Sequence, residues 1–224
     1  MGGTIFEAAA FGAGVTLSPL AVVAVVLTLA GPAGRRGALA FVASWIGALT
    51  IGSSVALLLA DVIGPGREDD PASWLIAGQF ALALLLVGVA LRQWLRRGNG
   101  EGSGEELPAW MRKVDGLTPS RAAGFALLLA LGKPKNLLLT IGVALAIAEL
   151  DTSATEQAAG IVIFALVATA APAAPLVVSV LMRERGPAIL ERLRIWMIRE
   201  EALIVAGLCL LFAAKLFANA AGAA

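Results

Sequence analysis

Six long apolar runs, separated by short charged stretches, constrain this chain more than any other feature. They lie at roughly Ile5–Leu29, Leu39–Val62, Trp74–Leu95, Ala122–Leu150, Gly160–Met182 and Ala202–Phe217. A helix needs about 20 apolar residues to cross a hydrocarbon core of ~30 Å, and each run supplies close to that number. A soluble domain is about half apolar and about a quarter charged. Here 59% of the 224 residues are hydrophobic and 15% charged. The chain therefore reads as an all-α integral membrane protein with six transmembrane helices. The first run begins without the basic residues that precede a cleavable signal peptide, so it is expected to be retained.

Orientation follows from where the positive charge falls. Arg35 and Arg36 follow the first span. Arg92, Arg96, Arg97, Arg112, Lys113 and Arg121 lie between the third and fourth, and Arg183, Arg185, Arg192, Arg194 and Arg199 between the fifth and sixth. These loops alternate along the chain and must share one side, which the positive-inside rule makes the cytoplasm. The opposite loops are acidic, with Asp61, Glu68, Asp69 and Asp70 beside a lone Arg67, then Glu149, Asp151 and Glu156. Both termini are accordingly placed outside, in the inner (plasma) membrane. Trp74, Trp94, Trp110 and Trp196 fall at span ends or in adjoining loops, where amphipathic rings favour the headgroup zone.

Net charge is +1, which favours no nucleic-acid partner. Histidine and tyrosine are absent, and Cys209 is the one cysteine, so a zinc site, a dithiol relay and an intrachain disulfide have no ligands or partners. No Gly-x-x-x-x-Gly-Lys-Ser/Thr loop is present to cradle ATP. Acidic residues sit at span ends or in loops, which disfavours a mid-membrane cation site. No cofactor or metal is expected.

The first and fourth spans carry a proline near the middle, in Leu17-Ser18-Pro19-Leu20 and Gly132-Lys133-Pro134-Lys135-Asn136. Proline has no N–H and clashes with the preceding turn, so Ser18 and Lys133 are expected to leave the helix and cap a second half-helix. Matched interruptions three spans apart are the mark of an inverted repeat with a transport site between its halves. The expected organisation is a 3+3 inverted repeat, with one half over 1–97, a cytoplasmic linker over 98–118 and the other half over 119–224. An ordinary proline kink, eased by a hydroxyl or water, is the plainer alternative. Candidate substrate-binding residues are Ser18, Pro19, Lys133, Pro134, Lys135 and Asn136, and no residue is assigned to catalysis. Either lysine could instead bond exposed backbone carbonyls.

Pro172 and Pro175 are expected to kink the fifth span. Ser44, Thr50, Ser53, Ser54, Thr169 and Ser179 are expected to bond their own helices. Lys215 is expected to snorkel outward. The segment 108–113 reads as a short interfacial piece, and an amphipathic helix over 187–197 is expected on the inner leaflet.

The order of Ser18-Pro19, Trp110-Met111, Lys133-Pro134-Lys135-Asn136 and Trp196-Met197 resembles the peptidoglycolipid-addressing (sulfolipid-addressing) proteins of the lysine-exporter (LysE) superfamily. The likeness covers nearly the whole chain and is sharpest at Pro134-Lys135-Asn136. The sequence departs from the family's Asn-Pro-Lys-Asn at its first position, where Lys133 stands. The resemblance implies export of a cell-envelope glycolipid or its precursor.

The sequence thus favours a secondary exporter of an anionic or amphipathic solute, working among membrane lipids, with homo-oligomerisation left open. A non-transporting scaffold for envelope-lipid assembly is the second reading. An intramembrane hydrolase pairing Ser18 with Lys133 or Lys135 is a distant third. The topology has a direct test with Cys209 replaced by serine. Cysteines placed at Ser73 and Ser153 should react with an impermeant thiol reagent on intact cells, and one at Ser103 only after permeabilisation. The opposite labelling would reverse the orientation.

Overall fold

The computed structural model describes residues 2–16, 18–63, 71–98, 118–150, 152–181, 206–207 and 209–218. Among them the regular structure is helical, with no strand. The helices are α1 (Gly2–Thr16), α2 (Pro19–Ala30), α3 (Gly34–Ile63), α4 (Pro71–Gly98), α5 (Pro119–Leu131), α6 (Pro134–Glu149) and α7 (Ala154–Leu181). A further helix, α8, covers Cys209–Ala218. The interfacial segment 108–113, the amphipathic stretch 187–197 and nearly all of the linker lie outside the described residues.

Proline sets four of the helix starts, at Pro19, Pro71, Pro119 and Pro134. Its fixed φ suits the first turn, where its missing N–H is not needed. Thr118 completes the start of α5, its hydroxyl accepting from the Arg121 N–H at 3.4 Å. Between α2 and α3 the chain turns through Gly34 at φ +48°, a left-handed conformation that glycine adopts without strain.

The two expected interruptions are present. The α1–α2 pair bends by 61° around Ser18-Pro19, and the α5–α6 pair by 69° around Lys133-Pro134. With the tilt shared between its halves, either pair still rises about 35 Å, enough to cross a ~30 Å core. Segments of α3 and α7 are long and apolar enough to cross alone, giving two candidate spans among the described residues, or four counting each bent pair as one. Pro172 and Pro175 lie inside α7, which continues as one helix through both.

The exterior supports a membrane-embedded protein. On α3, Ile51, Val55 and Leu58 form an outward stripe at helical spacing, with 65, 49 and 62% of their surface exposed. Leu84 and Leu85 of α4 and Leu127 and Leu128 of α5 are exposed as well. Water would penalise so extensive an apolar surface, whereas lipid chains do not.

Inside, α1 packs most extensively on α7, and α5 on α3. Helix α6 also meets α1, α3 and α4, while α2 lies against α3 and α7. Small residues allow these approaches. A Cβ added at Gly12 would come within 2.9 Å of both the Phe164 carbonyl oxygen and the Val167 Cβ. One at Gly142 would meet the Phe11 ring at 2.6 Å, and one at Gly160 would meet Thr4 Cγ2 at 2.7 Å. Hydroxyls are largely spent on their own helices, with Ser53 donating to Leu49 O at 2.7 Å and Thr169 to Ala165 O at 2.6 Å. Ser179 likewise donates to Leu176 O at 2.7 Å.

This packing predicts an asymmetry among glycines. Gly12→Ala must push α1 off the α7 backbone and should destabilise by roughly 1–3 kcal/mol. Nothing lies within 4 Å of a Cβ added at Gly47. Gly47→Ala should therefore be neutral or gain up to ~1 kcal/mol of helix propensity. Thermal unfolding of both variants in one detergent checks this, and equal behaviour would contradict the interface described.

Candidate functional site

A broken helix leaves carbonyls without their usual donors. In an unbroken helix, Gly14 O would accept from the Ser18 N–H, four residues on. That N–H instead reaches Thr16 O at 2.8 Å. In the other pair, Leu129 O would accept from the Lys133 N–H, but Lys133 stands in extended geometry at φ −84°, ψ 124° as the N-cap of α6. Gly14 and Leu129 hold equivalent places, each five residues before its proline.

Two adjacent side chains in the first turn of α6 satisfy these two carbonyls. The Lys135 Nζ donates to Gly14 O at 3.0 Å across the fold, and the Asn136 Nδ2 donates to Leu129 O at 3.1 Å within its own bent pair. Thr140 then donates to Asn136 O at 2.8 Å, tying the same turn to the next. Lys135 and Asn136 are buried, at 5 and 0% exposure, whereas Lys133 is half-buried and Pro134 exposed. The break thus turns Lys135 and Asn136 inward and leaves Pro134 at the surface, with Lys133 between them.

Glycine is required around both breaks. A Cβ at Gly132 would fall 2.4 Å from Leu128 O, where the last turn of α5 closes through the Gly132 N–H at 2.8 Å. A Cβ at Gly14 would strike the Phe212 ring at 2.6 Å and Leu139 Cδ1 at 3.0 Å. The absence of a side chain at Gly14 lets α6 and α8 close on the last turn of α1. Phe11 and Phe212 pack nearby with ring centroids 4.9 Å apart.

Ser18 lies at the N-cap of α2 without making a side-chain cap bond, and Pro19 is the first residue of that helix. Ser18 Oγ and Asn136 Oδ1 are buried without a hydrogen-bond partner, as is Nε1 of the fully buried Trp45 on α3. Unpartnered buried polar atoms are uncommon, because each forfeits its hydration. Among the described residues, the Ser18 hydroxyl makes no hydrogen bond to a lysine amine. Among the described residues, no cluster of three His, Cys, Asp or Glu side chains could hold a metal.

The Lys215 Nζ pairs with Glu7 Oε2 across α8 and α1. It also lies 5.2 Å from the ring centroids of Phe6 and Phe11. In apolar surroundings a local carboxylate and two ring faces compensate an ammonium. The pairing could have been sought in the sequence, since Glu7 is the acid within the first span and Lys215 the base within the last.

A family model described as Sap, sulfolipid-1-addressing protein, matches residues 9–222. Neither the curated proteins nor the solved structures give a match to this chain.

The ion pair makes a thermodynamic prediction. Glu7→Gln or Lys215→Gln alone leaves an unpaired charge at a largely buried position, whereas the double variant leaves none. The double variant should lose less stability than the two single losses combined, by roughly 0.5–3 kcal/mol. Thermal unfolding of the four proteins in one detergent measures this, and strictly additive losses would deny the coupling.

Proposed function

The chain belongs to the sulfolipid-1-addressing family, and on that premise we propose that it is a secondary transporter. Its cargo would be an anionic or amphipathic solute, a cell-envelope glycolipid or precursor, exported across the inner membrane. The observation that carries this reading is the Lys135–Asn136 pair, which holds the equivalent carbonyls of two broken helices. Helix ends held open within a membrane present polar backbone where an intact span presents none. The N-terminal ends of α2 and α6, with the Lys135 ammonium, bring positive potential suited to a phosphate, sulfate or carboxylate group. Protonation of a buried lysine is linked to binding of an anion beside it, so export can draw on the proton gradient.

The inverted repeat belongs to this proposal. Exchanging α1 with α5, α2 with α6 and α3 with α7 maps the α1–α7 contact onto α5–α3, and α2–α7 onto α6–α3. The two bends, 61° and 69°, correspond under the same exchange. The Glu7–Lys215 pair puts the start of α1 and the end of α8 at one level, which fits six spans with both termini outside. Placement in the lysine-exporter superfamily is consistent with this architecture. A scaffold for envelope-lipid assembly is the second reading, favoured only if purified protein moves no cargo.

Lys135 separates transport chemistry from structural capping. Lys135→Ala leaves Gly14 O unsatisfied and should lose both stability and flux. Lys135→Gln keeps an N–H donor on a side chain one bond shorter, so it should regain part of that stability, yet lack the charge. We expect its efflux of a fluorescent sulfated glycolipid from proteoliposomes to fall at least ~10-fold, the scale of one charged hydrogen bond. Lys133→Ala should be milder. Full flux from Lys135→Gln would reduce the lysine to a carbonyl cap and overturn the anion-site mechanism.

A further inference from the structure

Away from the helix breaks, a groove of about 410 Å³ opens between the start of α3 and the end of α7. Arg35 and Leu39 line it from α3, one turn apart, and Leu176, Val177, Val180 and Leu181 line it from the last turns of α7. Five of the six are aliphatic, and Leu39, Val177, Val180 and Leu181 each leave about half or more of their surface exposed. The sixth is a cation at the groove's end, at the level where α3 begins. Among the described residues, Arg35 makes no hydrogen bond or ion pair. Its neighbour Arg36 is also exposed but does not line the groove.

This lining specifies an occupant in two parts. The aliphatic walls fit an acyl chain, while a guanidinium at the rim fits a phosphate or sulfate through paired N–H donors. The charged side chain in the lining is that of the arginine. A soluble anion would gain nothing from the five aliphatic side chains. A partner helix would cover the groove while leaving the guanidinium to find an acid. We propose that the groove binds an anionic lipid of the arginine-side leaflet, chain between α3 and α7 and headgroup on Arg35, as the loading site for the exported amphiphile.

The position suits that role. Helix α2 packs against α3 and α7, the two helices that wall the groove, and α2 begins at Ser18-Pro19. A lipid seated between α3 and α7 therefore lies on the two helices that also hold the half-helix leading to the break. The loading role rests on the transport reading, whereas lipid selectivity at the groove does not.

The test uses purified full-length protein and native mass spectrometry. Phosphatidylglycerol, a sulfatide and phosphatidylcholine are offered at equal concentration. The wild type should retain the two anionic lipids over phosphatidylcholine. Arg35→Gln should lower anionic retention about 10-fold, on the scale of a lost charge-assisted hydrogen bond. Leu39→Trp, which fills the groove, should lower it as well. Arg36→Gln removes the same charge one residue away and should leave most retention intact. Equal retention of the three lipids, or equal effects of the two arginine variants, would mean ordinary annular lipid and overturn the site. Lys135→Gln keeps the two ideas apart. Intact selectivity with unimpaired Lys135→Gln flux would preserve the groove and remove its loading role. Lost flux without groove selectivity would remove the groove and leave the transport reading standing.

Discussion

A carbonyl oxygen deprived of its helical N–H has no water to turn to in the hydrocarbon core, and leaving it bare costs on the order of several kcal/mol. A span broken by proline is therefore stable only if something else donates. Here the donors are the ammonium of Lys135 and the amide of Asn136, on Gly14 O and Leu129 O. The approach of α6 to α1 depends on that arrangement, and the absence of a side chain at Gly14 admits Phe212 and Leu139 to the same turn.

The two bent helix pairs contribute unequally. Lys135 and Asn136 follow Pro134, whereas the residues that follow Pro19 are Leu20 and Ala21, which carry no donor. The α5–α6 pair supplies the polar side chains for both breaks. The α1–α2 pair supplies a backbone acceptor and the buried, unbonded hydroxyl of Ser18.

The breaks were legible in the sequence because proline acts locally, through its own ring and missing N–H, whatever surrounds it. Helix existence was legible for the same reason, from the length and apolar character of each run. The inward turn of Lys135 and Asn136, against the outward turn of Pro134, was not. It depends on the helical phase of α6 relative to α1, set by contacts 121 residues apart. The pairing of Glu7 with Lys215 spans 208 residues and depends on where α8 docks. Tertiary placement, not propensity, decided both. The role of Gly14 was hidden too, since glycine in a membrane helix is common and only its neighbours reveal what it admits.

The close contacts at Gly12, Gly14, Gly142 and Gly160 bear on how a chain like this can drift. Within lipid, burying one more methyl group away from the surroundings brings no hydrophobic gain, so helices associate through fit. The outward leucines and valines can be exchanged for one another with little consequence, because acyl chains adapt to any aliphatic contour. The glycine faces have no comparable latitude, as every replacement is larger than the space available. Sequence change should therefore accumulate on the lipid-facing surface and be sparse along the α1 contacts, the reverse of a water-soluble enzyme, where the exterior is polar and the interior tolerates aliphatic exchange.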